Sequence, residues 1–229
     1  MQSSYGVHVT SQRLREREIQ FPGPAGQLEG RLAQDASRGT AALLALHPHP
    51  LYGGTMDNNV VEAVVRAGQA GGLATLRFNF RGAGLSEGSY DSGEGEQEDV
   101  GAALDFLDQR LHARAKVLVG YSFGACMALA YCHRPDHGVD SLVLIAPPPF
   151  LLDETLSLGL PVVKKILLAE HDEIAPPQEV TSRAFAGGVG DRIDVIAETD
   201  HFFSGREADI EQRLSGLLAA LKQRTGPVP

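Results

Sequence analysis

The 229-residue sequence contains no apolar run approaching the roughly 18 residues that a membrane-spanning helix needs. Its first stretch, Met1 to Glu18, is polar and mixed in charge and lacks the apolar core of a signal peptide. No membrane partner is expected, and a cytoplasmic location is the default reading. Basic residues are the minority: 20 Lys and Arg stand against 29 Asp and Glu, for a formal net charge of -9. Phosphate backbones are bound by clustered Lys and Arg, so nucleic acid is not an expected partner. Cysteine is scarce. Cys126 and Cys132 lie six residues apart in what reads as one helix, so their side chains leave on different faces. A disulfide between them is not expected, which fits a reducing compartment, and both read as small buried hydrophobes. Internal repeats and low-complexity blocks are also missing.

What is present is apolar patterning. Hydrophobic residues make up 43% of the chain, and a chain of this length can bury a large core without disulfides or metals. Residues 1–229 read as one domain, with 1–16 and 225–229 loosely held. Short apolar runs alternate with amphipathic stretches. Arg17–Phe21, Leu28–Ala33, Ala41–Leu46, Leu73–Phe80, Ala115–Val119, Ser141–Ala146, Val162–Leu168 and Arg192–Ala197 read as strands. Val60–Ala70, Glu96–Arg110, Ala125–His133 and Ile210–Leu221 read as helices, the first with Asp57 or Asn58 as its N-cap. The fold class is therefore α/β: a mostly parallel sheet of about eight strands with helices on both faces. In such sheets chemistry gathers beyond the carboxyl ends of the strands.

Gly-x-Ser-x-Gly occurs twice, at Gly120-Tyr121-Ser122-Phe123-Gly124 and at Gly84-Leu85-Ser86-Glu87-Gly88. The bare string is weak evidence, since about 0.16 matches arise by chance in a chain of this composition. Context separates the two copies. A nucleophile turn needs a strand running directly in and a helix running directly out. Ala115–Val119 and Ala125–Ala130 supply both around Ser122. Ser86 instead runs into the loop Ser89–Gly93. Ser122 is thus the expected nucleophile. The helix after it begins with free N–H groups that favour negative charge, and the Phe123 amide should point at a developing oxyanion.

Activating a serine hydroxyl needs a base titrating near neutrality. Of the eight histidines, His201 alone follows the last strand and precedes the last helix, above the carboxyl edge of the sheet. Asp172 follows the preceding strand and is the expected partner of that imidazole; the order Ser122, Asp172, His201 suits the arrangement. Asp200 and Glu173 are rivals for the acid. A second oxyanion donor should come from the turn His47-Pro48-His49-Pro50-Leu51-Tyr52-Gly53-Gly54. Prolines have no N–H, and the His49 amide, fixed between two prolines, is the expected donor. His47 and His49 with Asp57 could alternatively hold zinc, yet no third ligand stands at a telling spacing. No cofactor and no metal are expected.

With Leu46–Pro50, Asn79–Ser86, Gly120–Gly124, His171–Pro176 and Asp200–Phe203 in hand, the chain resembles the α/β-hydrolase superfamily. Within it, the chain is similar to small bacterial hydrolases carrying an HPHP…GG turn. The resemblance implies an α/β-hydrolase fold, a Ser122-Asp172-His201 triad, and a structural role for the RGxGxS loop that holds Ser86. One departure is Ala169, where many relatives have Gly. The stretch from Ala146 to Gly159 leaves only about a dozen residues before the next strand, too few for a separate lid domain. Tyr52, Tyr121, Phe123, Phe150, Leu151, Phe202 and Phe203 are candidates for an apolar lining. The expected activity is hydrolysis of small carboxylic esters, with a small acyl compound as partner; a homodimer is left open. Thioesters, amides or small peptides, and carbon–carbon bonds are alternative substrates on the same triad. A binding protein on a hydrolase scaffold is the reading from another class.

Overall fold

The computed structural model describes residues 14–34, 41–151 and 158–224. Eight strands form one sheet: β1 (Arg17–Gly23), β2 (Gly26–Ala33), β3 (Ala41–Leu46), β4 (Ala74–Phe78), β5 (Ala115–Tyr121), β6 (Ser141–Ile145), β7 (Val163–Ala169) and β8 (Ile193–Ile196). Their order across the sheet is β1-β2-β4-β3-β5-β6-β7-β8. β1 and β2 form an antiparallel hairpin that joins β4 antiparallel; all later neighbours are parallel. β3 and β5 are central, and every residue of β3 is buried. Burial on both faces is why these strands read as unbroken apolar runs rather than alternating ones.

Among the described residues five α-helices flank the sheet: α1 (Asn59–Ala70), α2 (Glu94–Leu111), α3 (Phe123–Cys132), α4 (Pro177–Ala186) and α5 (Glu207–Arg224). α1 packs with α5, and α2 packs with α3. α5 buries Ile210, Leu214, Leu218 and Leu221, one face at helical spacing. Asn58, not Asp57, caps α1, accepting the Val60 amide at 2.9 Å. α2 starts two residues earlier than the pattern suggests, because the Glu96 carboxylate reaches back to the amides of Gly93 and Asp91, each at 2.8 Å. α4 has no counterpart in the sequence reading. It buries only Val180 and Ala184, but Pro177 at its first position was a usable start signal.

The stretch expected to be loose is held at its end: Glu16 grips Arg77 through bonds of 2.9 and 2.7 Å. The rest of the loose-end expectation, at 1–13 and 225–229, lies outside the described residues. Cys126 and Cys132 are free, and both are buried. Burial pushes both thiols well above the ordinary range. β6 leads into a 3-10 turn, Pro149–Leu151, and among the described residues between β6 and β7 no lid is evident.

Candidate active site

β5 delivers Ser122 to the carboxyl edge of the sheet at its centre, and α3 departs at the next residue. Ser122 has φ 53° and ψ -119°, a left-handed conformation that L-residues avoid. Packing holds it there. A Cβ on Gly120 would stand 2.2 Å from the Gly124 carbonyl oxygen, and one on Gly124 would stand 2.7 Å from the carbonyl oxygens of Leu46 and His47. The two glycines therefore let α3 turn back against β5 and nestle against the end of β3. The Ser122 amide donates to the Ile145 carbonyl at 2.8 Å, which ties the turn to β6.

Three distant side chains meet here. His201 Nε2 lies 2.9 Å from Ser122 Oγ, and His201 Nδ1 lies 2.8 Å from Asp172 Oδ2. All three residues are buried. The other carboxylate oxygen of Asp172 accepts the amides of Ile174 at 2.9 Å and Ala175 at 2.7 Å. Those two donors fix the orientation of the carboxylate. An anionic partner at Nδ1 holds the proton on that nitrogen and leaves Nε2 as an acceptor for the serine hydroxyl. Tyr121 donates its hydroxyl to the His201 carbonyl at 2.8 Å, so the histidine backbone is anchored beneath the site. The rivals turn elsewhere. Asp200 Oδ1 accepts the Phe202 amide at 3.0 Å, and Glu173 is exposed.

The turn after β3 is organised by His47. Its ring is fully buried; Nε2 accepts the Phe80 amide at 3.0 Å, so Nδ1 carries the proton and donates to the Pro48 carbonyl at 2.6 Å. A trans peptide points its N–H opposite its C=O. Holding the Pro48 carbonyl therefore aims the His49 amide away from the His47 ring. The His49 ring is fixed too: Nδ1 accepts the Leu51 amide at 3.3 Å, and Nε2 faces the Tyr90 hydroxyl at 3.3 Å. That ring sits among Tyr52, Tyr90 and Phe123. Among the described residues neither the His49 amide nor the Phe123 amide donates to a protein acceptor. For Phe123 this follows from its place in the first turn of α3.

Burial pushes the His47 pKa down to about 4, against the opposing pull of the Pro48 carbonyl. A histidine whose folded pKa is depressed contributes stability above its unfolded value of about 6.5 and loses it as pH falls toward the folded value. Unfolding free energy should therefore fall by on the order of 3 kcal/mol between pH 6.5 and pH 4 on account of this residue. Urea titrations at the two pH values check this, and His47→Gln should flatten the difference.

Ser86, in the second Gly-x-Ser-x-Gly, is structural. Its hydroxyl donates to the Asn79 carbonyl at 2.6 Å and accepts the Glu29 amide at 2.9 Å. Ser86→Ala should cost about 1–3 kcal/mol in urea unfolding and leave turnover within about twofold, since the loop retains other anchors. Those anchors include Glu29, which accepts from Asn79 and Leu85, and Arg81, which forms a buried ion pair with Asp99 at 2.7 Å. The zinc alternative fails on placement: His47 has both ring nitrogens engaged, and Asp57 is bonded to Arg31 and Arg77.

The lining candidates divide. Tyr52, Phe150 and Phe202 are exposed. Tyr121, Phe123 and Phe203 are instead buried, and Leu151 packs partly against the core. The Tyr121 ring meets the His201 ring on one side and the Phe203 ring on the other, at centroid distances of 5.5 and 6.2 Å. Sequence reasoning missed His47, Tyr90 and Tyr121 as supports. Only the buried polar atoms, paired across strands, reveal them.

A family model described as the alpha/beta hydrolase fold matches residues 49–183. The chain belongs to the α/β-hydrolase fold family. An uncharacterized protein of Rickettsia prowazekii is 34% identical over 215 residues, covering 90% of each chain. Among solved structures, this hydrolase-fold chain is similar to an alpha-beta serine hydrolase homologue from Coxiella burnetii. The two share 33% identity at a TM-score of 0.81, over 89% of this chain and 97% of the other. It is also similar to a serine hydrolase without a lid from Xanthomonas campestris, at 26% identity and a TM-score of 0.79, over 94% and 97% of the two chains.

Proposed function

We propose that the protein is a serine hydrolase that cleaves small carboxylic esters. The observation that carries this reading is the His201 ring bridging Ser122 Oγ at 2.9 Å and Asp172 Oδ2 at 2.8 Å. Ser122 Oγ attacks the ester carbonyl carbon while its proton passes to His201 Nε2. Asp172 stabilises the imidazolium that forms. The carbonyl oxygen becomes an oxyanion, held by the amides of Phe123 and His49. The tetrahedral centre collapses, the carbon–oxygen bond to the alcohol breaks, and His201 returns the proton to the leaving oxygen. Water then attacks the acyl-enzyme by the same proton route, and the acid departs. Each step uses side chains and amides of this chain, so the expected activity needs no added cofactor.

The test is a panel of p-nitrophenyl, thioester and aminoacyl-amide substrates with a common acyl group, assayed beside a fluorophosphonate probe. The reading expects probe labelling and ester cleavage faster than either competitor. Thioester or amide turnover above ester turnover would replace the substrate class. A protein that neither labels nor turns over any of them would instead be a binding protein on this scaffold.

A further inference from the structure

The segments leaving the carboxyl ends of β3, β4, β6, β7 and β8 surround Ser122, and their charge is one-sided. Glu87, Asp91, Glu170, Glu173, Glu198 and Asp200 are exposed on them. Only two cations, Arg81 and Arg206, occur on the same segments among the described residues. Both are already paired: Arg81 is buried against Asp99 at 2.7 Å and also meets Asp91 at 3.7 Å, and Arg206 meets Glu198 at 3.0 Å, which leaves Glu87, Glu170, Glu173 and Asp200 with no Arg or Lys partner among the described residues.

The same segments carry the exposed apolar surface. Of the eight large hydrophobic side chains exposed among the described residues, six are here: Leu51, Tyr52, Leu85, Phe150, Ile174 and Phe202. Tyr52 is 87% and Phe150 73% exposed. Phe202 stands directly beside the His201 ring, and Tyr52 beside the His49 ring. Side chains that stay wet while flanking a reactive serine are placed to take up apolar parts of a substrate.

Resting on the ester hydrolase reading, we propose that this rim selects uncharged, apolar esters and excludes anionic ones, nucleotide-bearing thioesters and monoesters of dicarboxylic acids included. An anion approaching Ser122 meets several exposed carboxylates and no unpaired guanidinium or ammonium to replace its hydration. A neutral ester meets no such barrier, and its acyl and alcohol groups find apolar contacts. The same field acts on the product. Hydrolysis turns a neutral ester into a carboxylate, which the rim then repels, so selection and product release share one cause.

The test compares p-nitrophenyl butyrate with mono-p-nitrophenyl succinate, in which a carboxylate replaces the terminal methyl. At 10 mM salt the neutral ester should be preferred in kcat/KM by about tenfold or more, the scale on which surface fields alter encounter rates. The ratio should shrink at 1 M salt, where the screening length falls from roughly 30 Å to roughly 3 Å. Glu173→Lys should lower the same ratio by about threefold at 10 mM salt; reading the ratio cancels any general effect on turnover. p-Nitrophenyl hexanoate should be cleaved more efficiently than the acetate. A ratio near one at low salt would overturn the proposal and leave the ester hydrolase reading intact. So would a large ratio insensitive to both salt and Glu173→Lys, which would assign the preference to shape. Acetate turned over faster than hexanoate would overturn the apolar half. Failure to cleave either ester, with no probe labelling, would bring down both.

Discussion

Ser122→Ala should lower kcat for ester hydrolysis by about a millionfold, the scale seen when a triad nucleophile is removed. The substitution removes the hydroxyl that lies 2.9 Å from His201 Nε2 and that the proposed reaction uses to form the acyl bond. Its structural cost should be small. The turn is held by Gly120 and Gly124 against their neighbours and by the Ser122 amide to Ile145, and none of these uses the hydroxyl. Circular dichroism and urea unfolding should stay close to the parent while turnover disappears. A variant that retains a tenth of the activity would place the nucleophile elsewhere.

Asp172→Asn should lower kcat by about 10,000-fold, through the imidazole tautomer and not through folding. One oxygen of Asp172 accepts the amides of Ile174 and Ala175; the other faces His201 Nδ1. An asparagine can keep its carbonyl oxygen on the two amides, which leaves its NH2 facing Nδ1. A donor there forces the ring proton onto Nε2, where it blocks acceptance from Ser122. All three groups are buried, so water does not readily replace either partner of the ring. Steady-state kinetics beside a thermal melt separate the two effects: kcat should collapse while the melting temperature moves little. A loss below tenfold would show that this carboxylate does not set the tautomer.

The parallel sheet was legible because doubly buried strands leave unbroken apolar runs, and its helices because their apolar faces recur at helical spacing. The meeting of Ser122, Asp172 and His201 was legible for a related reason. Each follows a strand, and parallel strands bring their carboxyl ends to one edge. Side-chain direction was not legible on the same strands. β5 is buried on both faces, so nothing in its pattern distinguishes an inward from an outward Tyr121. Its hydroxyl serves the His201 backbone. The work of His47 was hidden for a different reason. Its acceptor nitrogen meets the Phe80 amide 33 residues away, a contact created by the neighbouring of β3 and β4. α4 was missed because two buried residues are too few to make a periodic signal.

The most direct test of the Ser122–His201–Asp172 assignment is peptide mapping of the fluorophosphonate adduct by mass spectrometry. Stoichiometric modification on the peptide containing Ser122, with Ser86 unmodified, is the expected result. Modification at Ser86 or another serine, or none on a protein that still hydrolyses esters, would contradict it.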